Sequence, residues 1–530
     1  MQANNLFGCL TLYIAAICVN FAPVRKKNKN VVLENVEVTD YAAEGKALAK
    51  LDGKVVFISG AVPGDVADIM LVKNKKDWAE GRVTNIKKYS PTRVEPFCKH
   101  FGVCGGCKWQ MLPYAMQLQY KQQEAQQNLA RIGKVTDTVF LPIAGADESV
   151  YYRNKLEFTF SNKRYLLPGE KAPPPPEGGS SEVSNIFGEI SNTERYEDGV
   201  SDQSINLSNI EAPNSVVRDG ALGFHAPRIF DKIIDIHECF LMDDVNNRIR
   251  NTVRDFALAH SFSFYDIRQH TGWLRNIIIR YCSTGELMVN ICLNHDDETD
   301  RVLLFDHLLK EVPAITTLLY TINPKWNDSI YDLAPQTYFG KGYVTEQLGA
   351  YKFIISPKSF FQTNTKQAEK LYSITRDFAG LTGNEVVYDL YCGTGSIGIF
   401  VSDLAKKIIG VEVIEDAIED AKKNAALNNI NHALFFAGDV IKICNDAFFE
   451  THGKPDVVIT DPPRVGMHEK LVIKLLEMEA PKIVYVSCNT ATQARDILLL
   501  SEKYQVEKIQ PVDMFPHTHH IESVALLTLK

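Results

Sequence analysis

The stretch EVVYDLYCGTGSIGIF, residues 385–400, changes character halfway along its length. Its first half is an apolar run of β-branched and aromatic residues, the pattern of a buried strand. Its second half places Gly393, Gly395 and Gly398 in G-x-G-x-x-G spacing where a helical pattern begins. A strand that feeds a helix through such a turn lets the backbone approach a ligand closely, and an acid at the end of the next strand can take ribose hydroxyls. Glu412, in GVEV, stands in that place. A tight packing turn is the bland alternative.

The same rhythm continues from about residue 370 to the C-terminus. Apolar strands such as DVVIT and KIVYVS alternate with helical stretches such as EDAIEDAKKNAALNN, which predicts a parallel sheet covered on both faces. The last stretch, YQVEKIQPVDMFPHTHHIESVALLTL, has two strand-like runs around a turn, an antiparallel hairpin at the sheet edge. The glycine motif alone fits NAD or S-adenosylmethionine. Asp439 in GDV would meet an adenine amino group, and Asp461 in DPPR ends the fourth strand beside a methyl donor. Together these resemble a class I, Rossmann-like α/β methyltransferase.

Cys488 closes the strand KIVYVSCN, and Glu522 opens the last strand-like run. A packed thiol is the default reading of a lone cysteine. At the carboxyl end of a strand, beside a methyl donor and a carboxylate, it gains a chemical one. Addition of a thiolate to C6 of uracil makes C5 enolate-like and able to take a methyl group. A base such as Glu522 must then remove the C5 proton. Cys392, inside the glycine turn, is expected to pack there. His517, His519 and His520 are too crowded for a metal site and are expected at the surface or facing RNA.

Ahead of this domain the chain is organised differently. Residues 31–95 alternate in short β-like runs with turn signals, a small OB-like barrel, in which Tyr41, Phe57, Trp78 and Tyr89 are candidates to stack on bases, one or more being core. Residues 96–365 form a central α+β part that opens on CKHFGVCGGCKWQ, followed by the helix-favouring YAMQLQYKQQEAQQNLARI. Cys98, Cys104 and Cys107 are three soft ligands on a glycine-bearing loop and need a fourth partner for zinc or an iron–sulfur cube. Residues 168–222 are rich in Pro, Gly, Ser and Asn, carry ten acidic and three basic residues, and are expected to be a disordered insertion. KLEFTFSN and ALGFHAP on either side look like strands of one sheet.

A length of 530 residues with 45% hydrophobic content implies about three domains by the usual domain size. The net charge of −8 lies almost wholly in the insertion, whereas residues 24–95 carry fourteen basic and ten acidic residues, a modest footprint for nucleic acid. Eleven cysteines without the dense spacing of a secreted scaffold point to a reducing compartment, the cytoplasm. Residues 7–23 are apolar but shorter than a spanning helix, lack a basic leader and a cleavage motif, and are read as an extension within residues 1–30, with translation expected to begin at Val24. No membrane partner is expected, and a monomer is favoured.

SPKSFFQTN, DLYCGTG, DPPRVG, VSCN and FPHTHHIES together resemble the RNA uracil-C5 methyltransferase family, from about residue 31 to the C-terminus apart from the insertion. The resemblance implies S-adenosylmethionine held by Gln362, Tyr391, Ser396, Glu412, Asp439 and Asp461, with Cys488 as nucleophile and Glu522 as base in a domain spanning residues 366–530. It implies Cys239 as the fourth ligand of a 4Fe-4S cluster with Cys98, Cys104 and Cys107, zinc being the alternative. It further implies that the barrel is a TRAM domain. Because members with both barrel and cluster are typically ribosomal, whereas transfer-RNA members usually lack both, the resemblance implies a uridine of 23S ribosomal RNA as substrate. The alternatives are a transfer-RNA uracil-C5 methyltransferase, a catalytically silent RNA-binding protein, and base-amine methylation through DPPR. The last reading expects an aromatic residue after the prolines, where Arg464 stands.

Overall fold

The computed structural model describes residues 31–167, 169–170 and 220–530. The expected extension at residues 1–30, and the expected insertion apart from residues 169–170 and 220–222, lie outside them.

The glycine-bearing stretch forms strand Val386–Leu390 and helix Ser396–Phe400, as its change of pattern predicts. Four more parallel strands join it, giving the spatial order Ala433–Ala437, Lys407–Glu412, Val386–Leu390, Val457–Thr460, Lys482–Ser487. The terminal hairpin, Tyr504–Val512 and Glu522–Leu529, enters antiparallel with Glu522–Leu529 against Lys482–Ser487. Strand order therefore reverses beside Val386–Leu390, where a ligand crevice forms in such sheets. The hairpin is not the outermost element: Val139–Phe140 pairs parallel to Tyr504–Val512 and forms the edge.

Helices start where the sequence supplies a capping side chain. Asn364, the last residue of SPKSFFQTN, accepts from Gln367 N and caps helix Thr365–Ala379. Asn489 accepts from Ala491 N and Thr492 N and caps Thr490–Leu500. Two letters of the motifs thus serve the backbone. Gly380 ends Thr365–Ala379 in the left-handed conformation that glycine adopts without penalty.

The central part is an eight-stranded mixed sheet in which Lys155–Ser161 pairs with Ala221–Ala226 on one side and Leu274–Tyr281 on the other. The two flanks of the acidic insertion are therefore sheet neighbours. Leu287–Leu293 is buried at every position, consistent with cover on both faces. The N-terminal part is a six-stranded sheet, ordered so that Val32–Glu37 and Asp40–Tyr41 lie at its two ends.

Helix Tyr114–Arg131 ties the parts together. Its buried residues, Gln117, Lys121, Ala125 and Leu129, recur every fourth position and so form one stripe. Asn128 Nδ2 donates to Thr490 Oγ1 at 2.9 Å, so the helix lies on the catalytic-type domain although it follows the cysteine loop in sequence. No helix among the described residues is long and apolar enough to cross a membrane.

Candidate active site

Strand register assembles the site. Leu390 is level with Val411 on one side and Thr460 on the other, and Thr460 is level with Tyr485. Tyr391, Glu412 and Asp461 therefore stand together at the carboxyl edge. Glu412 is level with Ala437, which puts Asp439 just beyond. On the far side Ser487 pairs with Ser523, so Cys488 and Glu522 are the next step of the same antiparallel ladder.

Each side chain is held locally. Tyr391 takes a left-handed φ of 62° on entering the glycine turn. Glu412 receives Gly393 N at 3.3 Å and, through its other oxygen, Val413 N at 2.8 Å, so its carboxylate spans two strand ends. Asp439 is exposed and accepts from Ile441 N at 2.9 Å. Ser396 Oγ meets Tyr372 Oη at 2.9 Å. Gln362 comes from the loop before Thr365–Ala379, half-buried, its carbonyl accepting from Asn154 Nδ2 at 2.9 Å.

The carboxyl edge gathers acidic groups, part of them buried. Burial lifts the Asp461 carboxyl to about 7. Burial and then Asp461 hold the Glu522 carboxyl well above the ordinary range. Burial, with Glu522 and Asp461 adding and Arg464 opposing, pushes the Cys488 thiol up to about 12. Three groups that each resist taking negative charge face one space, which suits a cationic ligand.

Two residues here escaped the sequence reading. Asp389 is buried within its strand, accepts Gly398 N at 2.8 Å through one oxygen and leaves the other without a partner. An acid inside an apolar strand was the available signal. Tyr372 is delivered by tertiary packing of its helix, and no local pattern marks it.

Several expectations change. His517 is buried rather than at the surface, with Nδ1 against Gln117 Nε2 at 3.1 Å. Burial lowers His517 to about 4, His519 to about 3 and His520 to about 4, so all three are neutral imidazoles with no charge to offer a phosphate. Tyr41 packs on Trp109 and Tyr120 with centroids at 5.3 and 4.7 Å, which makes it core. Tyr89 is 58% exposed and carries the Arg93 guanidinium over its ring. Cys392 is buried in the core, as expected.

Four of the other cysteines share a second site, while Cys282, Cys292 and Cys444 are buried elsewhere. Cys98, Cys104, Cys107 and Cys239 line one recess with Phe224, Ile236 and Leu241. Gly106 N donates to Cys104 Sγ at 3.4 Å. Burial raises all four thiols, Cys104 and Cys107 to about 12. Among the described residues no group of three or more His, Cys, Asp or Glu is drawn together so as to hold a metal ion.

Comparison with known proteins agrees with this fold. The family model described as tRNA (Uracil-5-)-methyltransferase matches residues 336–530. An uncharacterized RNA methyltransferase of Bacteroides thetaiotaomicron is 48% identical over 493 residues, covering 92% of this chain and 100% of that protein. One of Porphyromonas gingivalis is 46% identical over 496 residues, covering 93% and 99%. Among solved structures, the Pyrococcus abyssi tRNA (uracil-54, C5)-methyltransferase in complex with S-adenosyl-L-homocysteine superposes with a TM-score of 0.67 at 24% identity, covering 94% of this chain and all of that one, a likeness of fold. With relatives of such identity matched along nearly their whole length, and the family model lying over the strands that carry Asp461, Cys488 and Glu522, the chain belongs to the RNA uracil-C5 methyltransferase family.

Proposed function

We propose that this protein methylates C5 of a uridine in 23S ribosomal RNA, taking the methyl group from S-adenosylmethionine through a covalent adduct on Cys488. The observation that carries the reading is the register of the last ladder, which sets a thiol and a carboxyl side by side next to the acidic crevice. Tyr391, Ser396, Glu412, Asp439 and Asp461, with Gln362 from the facing loop, would hold the methyl donor. Its positive sulfonium offsets the charge that Asp461, Glu522 and Cys488 resist, and so favours the thiolate when the donor is bound.

Cys488 Sγ then adds to C6, and the displaced C5–C6 electron pair makes C5 nucleophilic. C5 takes the methyl group as the carbon–sulfur bond of the sulfonium breaks. Glu522 accepts the C5 proton, and the C–H electrons restore the double bond and expel the thiolate. Amine methylation is disfavoured by Arg464, exposed where a base-stacking aromatic would stand.

The four-cysteine recess supports a 4Fe-4S cluster in the same reading. The donor set is four soft thiols in a recess walled by Phe224, Ile236 and Leu241 and also by His100, Gln110 and Glu238, and the Gly106 amide already points at one sulfur. When bound, such a cluster would brace the loop. Zinc remains the second reading of that recess.

The test is RNA containing 5-fluorouridine, which lacks the proton that Glu522 must remove. Wild-type protein with S-adenosylmethionine should form a denaturant-resistant protein–RNA adduct, and Cys488→Ala should form none. That variant should lose turnover by roughly 10⁴-fold or more while binding the donor normally. Full activity in Cys488→Ala would overturn the mechanism.

A further inference from the structure

The base candidate Glu522 is the first rung of a hairpin, paired with Val512 across a loop of residues 513–521. A terminal rung frays first unless its loop is held. This loop is held from outside the sheet to an unusual degree. Asp513 is fully buried and accepts Lys121 Nζ at 2.6 Å and Tyr114 Oη at 2.9 Å. Lys121, itself fully buried, also donates to Phe515 O at 3.2 Å. Tyr152 Oη donates to Pro516 O at 2.9 Å. His517, with a left-handed φ of 62°, donates its N–H to Gln117 Oε1 at 2.9 Å, and its carbonyl accepts Lys108 N and Trp109 N at 2.7 and 3.1 Å. Gln117 Nε2 donates in turn to Trp109 O and Leu112 O.

Three of these anchors, Tyr114, Gln117 and Lys121, lie on one helix whose preceding loop carries Cys98, Cys104 and Cys107. A left-handed non-glycine residue persists only where its surroundings over-determine it. Lys121 and Asp513 are fully desolvated, so each is costly unless the other stays in place. The arrangement ends at the rung Val512–Glu522, so what it holds directly is the strand end that bears Glu522.

We propose that Gln117 and Lys121, with Tyr114, are positioning residues for the base, so that helix Tyr114–Arg131 governs the release of the methylated adduct rather than its formation. The proposal rests on the covalent reading above. Loosening the loop on this side leaves Cys488, Glu412 and Asp461 in place, since those are set by the parallel strands, and leaves the donor-side bonds of Asn364 Nδ2 to Met514 O and Gln367 Nε2 to Asp513 O unbroken. It withdraws the Glu522 carboxyl from the C5 proton.

The experiment uses the full-length protein, S-adenosylmethionine and a ribosomal RNA fragment in single-turnover format. It separates methyl transfer to RNA from disappearance of the protein–RNA adduct. Gln117→Met keeps the side-chain volume but removes the bonds to His517, and should slow adduct release about ten-fold, the worth of a buried hydrogen bond or two, with methyl transfer and donor affinity within about two- to three-fold of wild type. Tyr114→Phe removes one hydroxyl and should shift the same ratio in the same direction by a smaller factor. It carries the test if Gln117→Met does not fold. Glu522→Gln sets the limit of the effect. Transfer and release unchanged, or reduced together, would overturn the proposal. A wild-type protein that forms methylated RNA without any adduct would instead overturn the covalent reading, and this proposal with it.

Discussion

Burial alone lifts the Asp461 carboxyl to about 7, and Asp389, raised to about 7 by burial with Asp461 and Glu412 adding, lies one strand away. At pH 8 Asp461 is a carboxylate, and at pH 6 it is mostly a neutral acid. A cationic donor seated against it binds the carboxylate form, so acidification makes binding wait on loss of a proton. S-adenosylmethionine affinity is therefore expected to fall about ten-fold per pH unit below about 7 and to be flat above it. Titration calorimetry in buffers of different ionisation enthalpy should find a proton released on binding at pH 6 and none at pH 8.5. Asp461→Asn should bind weakly at both. An affinity independent of pH in the wild type would remove Asp461 from the donor site. At this scale the sequence was legible in where strands end, so that Asp461 and Cys488 stand at the carboxyl edge as expected. It was not legible where burial changes a side chain's meaning: the letters of HTHH do not tell that His517 would be folded inward against Gln117.

The turn that opens the domain tests the element scale. Gly395 adopts a φ of 76°, and a Cβ there would stand 2.9 Å from Phe435 Cε1 and 3.1 Å from Ala421 Cβ. Gly53 also has a positive φ, of 79°, but nothing lies within 4 Å. Gly53→Ala should thus cost only the conformational strain, roughly 1–2 kcal/mol. Gly395→Ala adds overpacking and should cost roughly 2–4 kcal/mol and weaken donor binding. Thermal unfolding of the two variants beside wild type measures the difference, and equal shifts would show that the close approach to Phe435 is relieved cheaply. The strand-and-helix rhythm was readable because each parallel strand is a near-continuous apolar run between helical patterns. Val139–Phe140 was not, since two residues carry no period and their partner strand lies more than 360 positions away. Nor was hairpin Val344–Leu348 and Tyr351–Ile355, which is fastened by Asn424 Oδ1 and Asn428 Oδ1 accepting from Ile354 N and Lys352 N. Polar side chains reaching across to another element leave no mark in the local pattern.

For the whole molecule, the parts converge on the segment before Glu522. Trp109, from the cysteine loop, donates its indole N–H toward Gly45 O of the N-terminal sheet and its amide to His517 O. Sequence order gave no hint of this junction, because it is made by residues separated by hundreds of positions. If a 4Fe-4S cluster braces the loop, protein prepared without oxygen should be brown, with iron and sulfide in about four-to-four ratio. Replacing any one of Cys98, Cys104, Cys107 or Cys239 with Ser should lose the colour, whereas a colourless protein with stoichiometric zinc would decide for the other metal. The proposed ribosomal substrate is tested at the same scale. A uridine in folded RNA must be extruded into the crevice at a cost of a few kcal/mol, which contacts with flanking nucleotides have to repay. Tyr89, 58% exposed just after the last strand of the N-terminal sheet, is a candidate for stacking on such a nucleotide, with Arg93 held over its ring and ion-paired to Asp65. An enzyme that binds chiefly through surface remote from its catalytic centre needs a long RNA, and a large ribosomal RNA offers one before its loops are closed by assembly. Cells lacking this protein should therefore lose 5-methyluridine from one position of 23S ribosomal RNA and keep it in transfer RNA. Restoring the gene with Cys488→Ala should leave that position unmethylated. Loss confined to transfer RNA would move the substrate to the other branch of the family and leave the chemistry at Cys488 and Glu522 standing.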